Sequence, residues 1–121
     1  MQIFQSFILL SFLLVPAMLV AGEADVVGVE VDKSGSTYSF SVTVRHSDEG
    51  WEHYANKWDV VDLDGQVLAT RVLYHPHVNE QPFTRSLSGV VIDKSISSVI
   101  VRAHDLEHGY GGKEMAVDLP K

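Results

Sequence analysis

From Tyr38 to Arg45 the chain reads Tyr38-Ser39-Phe40-Ser41-Val42-Thr43-Val44-Arg45, an unbroken alternation of large apolar and small or polar side chains. Successive side chains of an extended strand point to opposite faces, so this stretch predicts a strand with one face in a core and the other in water. Working outward, Val27, Val29 and Val31 alternate with Gly28 and Glu30 before a turn at Ser34-Gly35. On the other side come Trp58 to Leu63 and Val67 to Leu73, joined by Asp64-Gly65, a pair that favours a tight hairpin because both turn positions tolerate positive φ. Phe83 to Val91 follows, interrupted near Gly89, then a turn at Asp93 to Ser95, a strand through Val99, Val101 and Ala103, and a last one through Met115, Val117 and Leu119. Beyond the N-terminal segment no stretch has a 3.6-residue apolar period. The expected fold is all-β, a single antiparallel sandwich of about seven strands of immunoglobulin or fibronectin-III-like type, with Trp58 as its buried central tryptophan.

With 121 residues there is room for one domain. Phe7 to Val20 reads FILLSFLLVPAMLV, apolar and uncharged, and small residues Ala21, Gly22 and Ala24 follow it. That pattern predicts a signal peptide over residues 1–24 and a sandwich domain over residues 25–121, with the mature start at Asp25 to within a few residues. The competing expectation, an uncleaved anchor from Ile3, is disfavoured because Pro16 and Glu23 shorten the apolar run below a membrane span. The exported chain is expected in the bacterial periplasm or outside the cell. It has no cysteine, hence neither a disulfide nor a lipid on cysteine. The full sequence carries a formal net charge of −7, which argues against nucleic acid and anionic membrane surfaces as partners.

Connections of an antiparallel meander alternate between the two ends of a sandwich. The short turns at Ser34-Gly35, Asp64-Gly65 and Asp93 to Ser95 therefore share one end. The long loops His46 to Lys57, Tyr74 to Pro82 and His104 to Gly112 share the other, and they hold all six histidines, His46, His53, His75, His77, His104 and His108. The same loops carry Asp48, Glu49, Glu52, Glu80, Asp105 and Glu107, against Lys57 as the single base. Imidazoles and carboxylates without a thiolate suit Cu(II), Zn(II) or Ni(II) better than Cu(I).

His75-Pro76-His77 is the most pointed element, because proline extends the backbone and residues two apart then face the same side. His104 and His108 bracket Asp105-Leu106-Glu107 and precede the glycine-rich Gly109-Tyr110-Gly111-Gly112. His46 continues the parity of Tyr38, Phe40, Val42 and Val44, which puts it at the top of the core, where hydrogen-bonded packing competes with a ligand role. His53 lies between Trp51 and Tyr54, aromatics that would plug the open end or form a dry shell around an ion. Arg85 shares the parity of Phe83 and Leu87 and is expected to pair with a carboxylate.

Trp51-x-x-Tyr54-Ala55-x-x-Trp58-x-Val60, Asp64-Gly65, His75-Pro76-His77-Val78-x-Glu80-Gln81-Pro82-Phe83-Thr84-Arg85-Ser86-Leu87 and His108-Gly109-x-Gly111-Gly112 together resemble a family of small exported bacterial proteins without established activity. The resemblance implies an envelope location and no mechanism.

Two functions fit these observations. In the first, the domain binds a transition metal such as Cu(II) or Zn(II) through three or four of the six histidines, with one carboxylate and no organic cofactor; the lone Met115 on a strand disfavours Cu(I) transfer. In the second, a non-enzymatic binding module grips another envelope protein or a small ligand with Trp51, Tyr54, Tyr74 and Tyr110, without metal. Enzymatic activity is not expected: there is no nucleophile motif, no phosphate-cradling loop and no helix-borne zinc motif.

Overall fold

The computed structural model describes residues 22–121. The expected signal peptide therefore lies outside the described residues except for its last three positions. Among the described residues there are seven strands: β1 (Asp25–Ser34), β2 (Thr37–Arg45), β3 (Ala55–Val61), β4 (Val67–Val72), β5 (Phe83–Val90), β6 (Ser98–Asp105) and β7 (Met115–Asp118). They form two antiparallel sheets, ordered β1-β2-β5 and β4-β3-β6-β7, the expected sandwich. No described helix is long and apolar enough to cross a membrane.

Alternation decides which side chains meet. Phe40, Val42 and Val44 of β2 are buried, and so are Val99, Val101 and Ala103 of β6, Trp58 and Val60 of β3 and Phe83 of β5. Each of the valines and phenylalanines among them contributes roughly 1.5–3 kcal/mol by leaving water, so two short sheets hold together without a disulfide. Polar residues of β2 face out; Thr43 and Thr84 pair across β2 and β5, their hydroxyls 2.8 Å apart.

The hairpin between β3 and β4 is longer than the tight turn expected at Asp64-Gly65. Strand β3 ends at Val61, and the Asp62 carboxylate accepts hydrogen bonds from the backbone N–H groups of Asp64 and Gln66. That side chain satisfies donors that a two-residue turn would have paired across strands, and Leu63 is left exposed.

Two polar side chains continue the core-facing parity at the open end of the sandwich. His46 follows Phe40, Val42 and Val44, and Asp105 follows Val99, Val101 and Ala103. Both are buried, His46 at 2 % exposure and Asp105 at 0 %. One strand of each sheet thus delivers one ionisable group to the same tip.

Candidate metal centre

Asp105 sits at the end of β6, and its Oδ1 accepts from the backbone N–H groups of Glu107 and His108 at 2.8 and 2.5 Å. These bonds curl the chain so that the His108 ring returns beside the carboxylate, its Nδ1 3.4 Å from Oδ1. Gly109, with φ of 71°, completes the bend in a conformation that favours glycine. Tyr110 then ties the loop to the outer face of the four-stranded sheet. Its hydroxyl donates to Asp59 Oδ2 at 2.6 Å, and the Arg102 guanidinium lies 4.1 Å from its ring centre. Asp59 also accepts from Thr70 Oγ1, so the tether ends on a fixed carboxylate.

His46 and His53 approach Asp105 from the loop between β2 and β3. The Nδ1 of His46 bonds Asp48 Oδ1 at 2.5 Å, and the Nδ1 of His53 bonds Glu49 Oε1 at 2.7 Å. Asp48 is itself held by the backbone N–H groups of Ala55 and His77. Each carboxylate fixes its imidazole so that Nε2 points the other way, toward Asp105. His46 Nε2 lies 3.3 Å from Asp105 Oδ2 and His53 Nε2 3.7 Å from Asp105 Oδ1. One donor atom from each of His46, His53 and Asp105 falls within 4.8 Å of the others, and the same holds for His53, Glu107 and His108. The two rings meet edge to face with centres 4.8 Å apart, and His108 lies 5.1 Å from His53.

The electrostatics follow from these partners. Burial opposes a charge on His46, but the hydrogen bond to Asp48, the Asp48 charge, the Gly22 carbonyl and Asp105 hold its pKa above the ordinary 6.5. For His53 the bond to Glu49 leads and burial opposes it, and the pKa again rises. Burial works against ionised Asp48, yet the bonds from His46, His77 and Ala55 keep its pKa low. Two imidazoles turned toward a buried carboxylate bring together nitrogen and oxygen donor atoms that a divalent cation would satisfy once it displaces the ring protons. Asp105 Oδ2 is buried and has no hydrogen-bond partner among the described residues; its 3.3 Å approach to His46 lacks hydrogen-bond geometry. An orphaned buried carboxylate oxygen is costly, and an ion coordinated there would remove the cost.

The other three histidines stand apart from this group. His77 is buried and stacked flat on Phe83 at 4.0 Å, with neither ring nitrogen partnered among the described residues. Its Nδ1 stops 3.9 Å from Asp48 Oδ2. Burial, and then the charge of Arg85, push its pKa down. Exposed His75 lies beside it, rings 4.8 Å apart, and Arg85 pairs as expected, with Glu80 at 3.0 Å. His104 faces outward from β6, its Nδ1 bonded to Asn56 Oδ1 and its ring against Tyr110. Trp51 is 65 % exposed and plugs nothing. A surface cleft of about 510 Å³ at the short-turn end is lined by Lys33, Tyr38, Ile92, Lys94 and Leu119, with no histidine among its lining residues.

Sequence reasoning missed Asp105 as the central carboxylate, Asp48 and Glu49 as the groups that aim the imidazoles, and Gly22. For Asp105 a signal existed: it carries on the buried parity of Val99, Val101 and Ala103, the same argument that singled out His46. The bonds of Asp48 and Glu49 are made by loop side chains, for which parity offers no guide.

No family model matches the chain. A putative lipoprotein of Halomicrobium mukohataei is 43 % identical over 97 residues, covering 79 % of this chain and 47 % of that protein. The chain thus spans about half the length of the curated relative it matches, and that relative is archaeal. Among solved structures, a hypothetical protein of Pyrococcus horikoshii superposes with a TM-score of 0.53 at 16 % identity, over 81 % of this chain and 90 % of that one. A superoxide reductase of Nanoarchaeum equitans superposes with a TM-score of 0.50 at 16 % identity, over 78 % and 91 %. These likenesses establish a shared sandwich. They also correct the expectation of a non-enzymatic domain: a sandwich of this kind carries an enzyme in Nanoarchaeum equitans, so the lack of familiar catalytic motifs does not exclude catalysis.

Proposed function

We propose that the chain is an exported, metal-dependent oxidoreductase in which His46, His53 and Asp105 hold one iron(II) ion, with superoxide as substrate. One observation carries this reading: two imidazoles, each with Nδ1 fixed by a carboxylate, turn Nε2 toward the buried Asp105 carboxylate, whose Oδ2, the oxygen facing His46, has no hydrogen-bond partner among the described residues. Carboxylate–histidine pairs of this kind orient and strengthen metal ligands. Two imidazoles and one carboxylate with positions left open suit non-haem iron(II). Copper(II) and zinc(II), expected from the sequence, accept the same donors, but zinc has no electron to exchange.

The fold shared with a superoxide reductase supports the choice of substrate, and the lipoprotein relative supports export. When bound, the ion supplies one electron, which with two protons converts superoxide to hydrogen peroxide, and a one-electron donor protein restores it. The chain's own residues do the rest. Asp48 and Glu49 hold the two rings in place, Asp105 adds the negative charge that favours a cation, and the buried wall of β2 and β6 keeps bulk water from the rear. Glu49 and Glu107, with side chains 69 % and 61 % exposed, stand between the centre and solvent where protons enter.

The test is anaerobic iron(II) titration of the full-length chain beside His46→Ala and His53→Ala, with superoxide consumption followed by pulse radiolysis. Tight stoichiometric binding lost in both variants, with superoxide removed only by the loaded protein, is the expected result. Equal weak binding by all three chains would end the metal reading, and tight binding without superoxide removal would leave a metal-binding domain with another task.

A further inference from the structure

Gly22 precedes the first strand, yet it reaches the middle of the candidate centre. Its carbonyl oxygen accepts hydrogen bonds from His46 Nε2 at 2.9 Å and His53 Nε2 at 3.3 Å, the two nitrogens aimed at Asp105. The residue has φ of 108°, a region that favours glycine, and a Cβ there would meet His108 Cε1 at 2.7 Å. The backbone therefore lies across three imidazoles at once, and only a residue without a side chain fits.

The segment is built in. Ala24 is 1 % exposed and belongs to the core. Val26 N–H donates to Lys113 O at 2.9 Å, and Lys113 N–H donates to Asp25 Oδ1 at 2.7 Å. The Glu23 carboxylate lies against Gly111 and the Ala24 carbonyl against Gly112, where any side chain would collide. The glycine-rich loop that supplies Asp105 and His108 is thus shaped to receive residues 22–25.

A carbonyl oxygen only accepts, and both Nδ1 atoms already donate to carboxylates, so a ring that makes both bonds carries a second proton, on Nε2, pointing at the Gly22 oxygen. A metal ion that replaces those protons meets the same lone pairs that received them. We infer that the Gly22 carbonyl oxygen is a further ligand of the centre, and that the export cut falls on the N-terminal side of Gly22. This rests on the metal reading above. It also moves the mature start from Asp25, because a chain beginning there would lack the oxygen.

Cobalt(II) is a suitable probe, bound to full-length chain labelled with ¹³C at glycine carbonyls. The Gly22 carbonyl resonance, assigned by added ¹⁵N-glutamate labelling because Gly22-Glu23 is the one Gly-Glu pair of the sequence, is expected to broaden beyond detection on cobalt binding, while the Gly109 and Gly111 signals shift and stay visible. Gly22→Ala should bind cobalt at least tenfold more weakly, and Gly35→Asn, at the opposite end, should bind as the wild type does. If Gly22→Ala fails to fold by circular dichroism, the wild-type carbonyl spectrum decides alone. Tight cobalt binding with an unbroadened Gly22 signal overturns the inference and leaves the imidazole–carboxylate centre standing. Absence of cobalt binding in the wild type removes both. The intact mass of the exported protein is a second test: a chain starting at Gly22 or earlier supports the inference, and a start at Asp25 overturns it.

Discussion

His46 and His53 belong to a loop with no recognisable motif, whereas His75-Pro76-His77 has the spacing that a reader of sequences would choose for a metal. The structure treats the two segments in opposite ways. In the first, each ring has a carboxylate behind it and a shared target in front. In the second, one ring is buried flat on Phe83 with neither nitrogen partnered among the described residues, and the other is exposed to solvent. Proximity along the chain supplies donor atoms, but a ligand also needs something to aim it, and here Asp48 and Glu49 do that for one loop only.

The largest effect that would break this contrast is on the motif-less loop. His46→Ala is expected to lower iron(II) or cobalt(II) affinity on the order of 100-fold or more, exceeding the roughly 10–100-fold typical when only an orienting partner is lost. Isothermal titration measures it, and a loss below threefold would remove His46 from the centre. Next comes Asp48→Asn, predicted to cost about 10–100-fold in affinity by releasing the His46 ring. The same change should lower unfolding stability in urea by roughly 1–3 kcal/mol, because Asp48 also receives two buried backbone N–H groups.

By contrast, the double variant His75→Ala/His77→Ala should keep metal affinity within about twofold of wild type, as expected of side chains sharing no ligand with the centre. A loss matching that of His46→Ala would transfer the site to the His-Pro-His loop.

The smallest effect sharpens the comparison by sign. His77 has a folded pKa below its ordinary 6.5, first because it is buried and then because of Arg85. Its contribution to stability is therefore full above 6.5 and is lost as pH falls from there through the folded value. His46 has a raised pKa, so in the metal-free chain its contribution is full below 6.5 and is lost as pH rises through the folded value. Urea midpoints from pH 7.5 to 5 should show a smaller acid loss in metal-free His77→Phe than in the parent. An unchanged slope would mean that the buried ring takes up its proton without penalty.

The architecture was legible because two-residue alternation is a direct readout of which face a strand buries. Tyr38 to Val44, Val99 to Ala103 and Trp58 announced their places, and strand parity carried the histidine-rich loops to one end. The same parity pointed to His46 and, had it been followed one residue beyond Ala103, would have found Asp105. It did not distinguish His77 from His53, because both lie in loops where orientation depends on hydrogen bonds between residues distant in sequence. Gly22 was hidden for a different reason: a small residue near a processing site reads as a peptidase signal, and nothing local reveals that its backbone folds over three imidazoles. The expectation of no enzymatic activity went wrong because it rested on helix-borne and loop-borne motifs, which strand ends need not contain.

His46 leaves the end of β2 and Asp105 closes β6, so the two groups come from opposite layers of the sandwich. An ion held between them would act as a cross-link spanning the layers at their open edge, in a chain with no cysteine to make a covalent one. Loaded protein should then part its sheets more slowly than the metal-free form, giving longer survival against proteases and a brake on unfolding that a chelator releases.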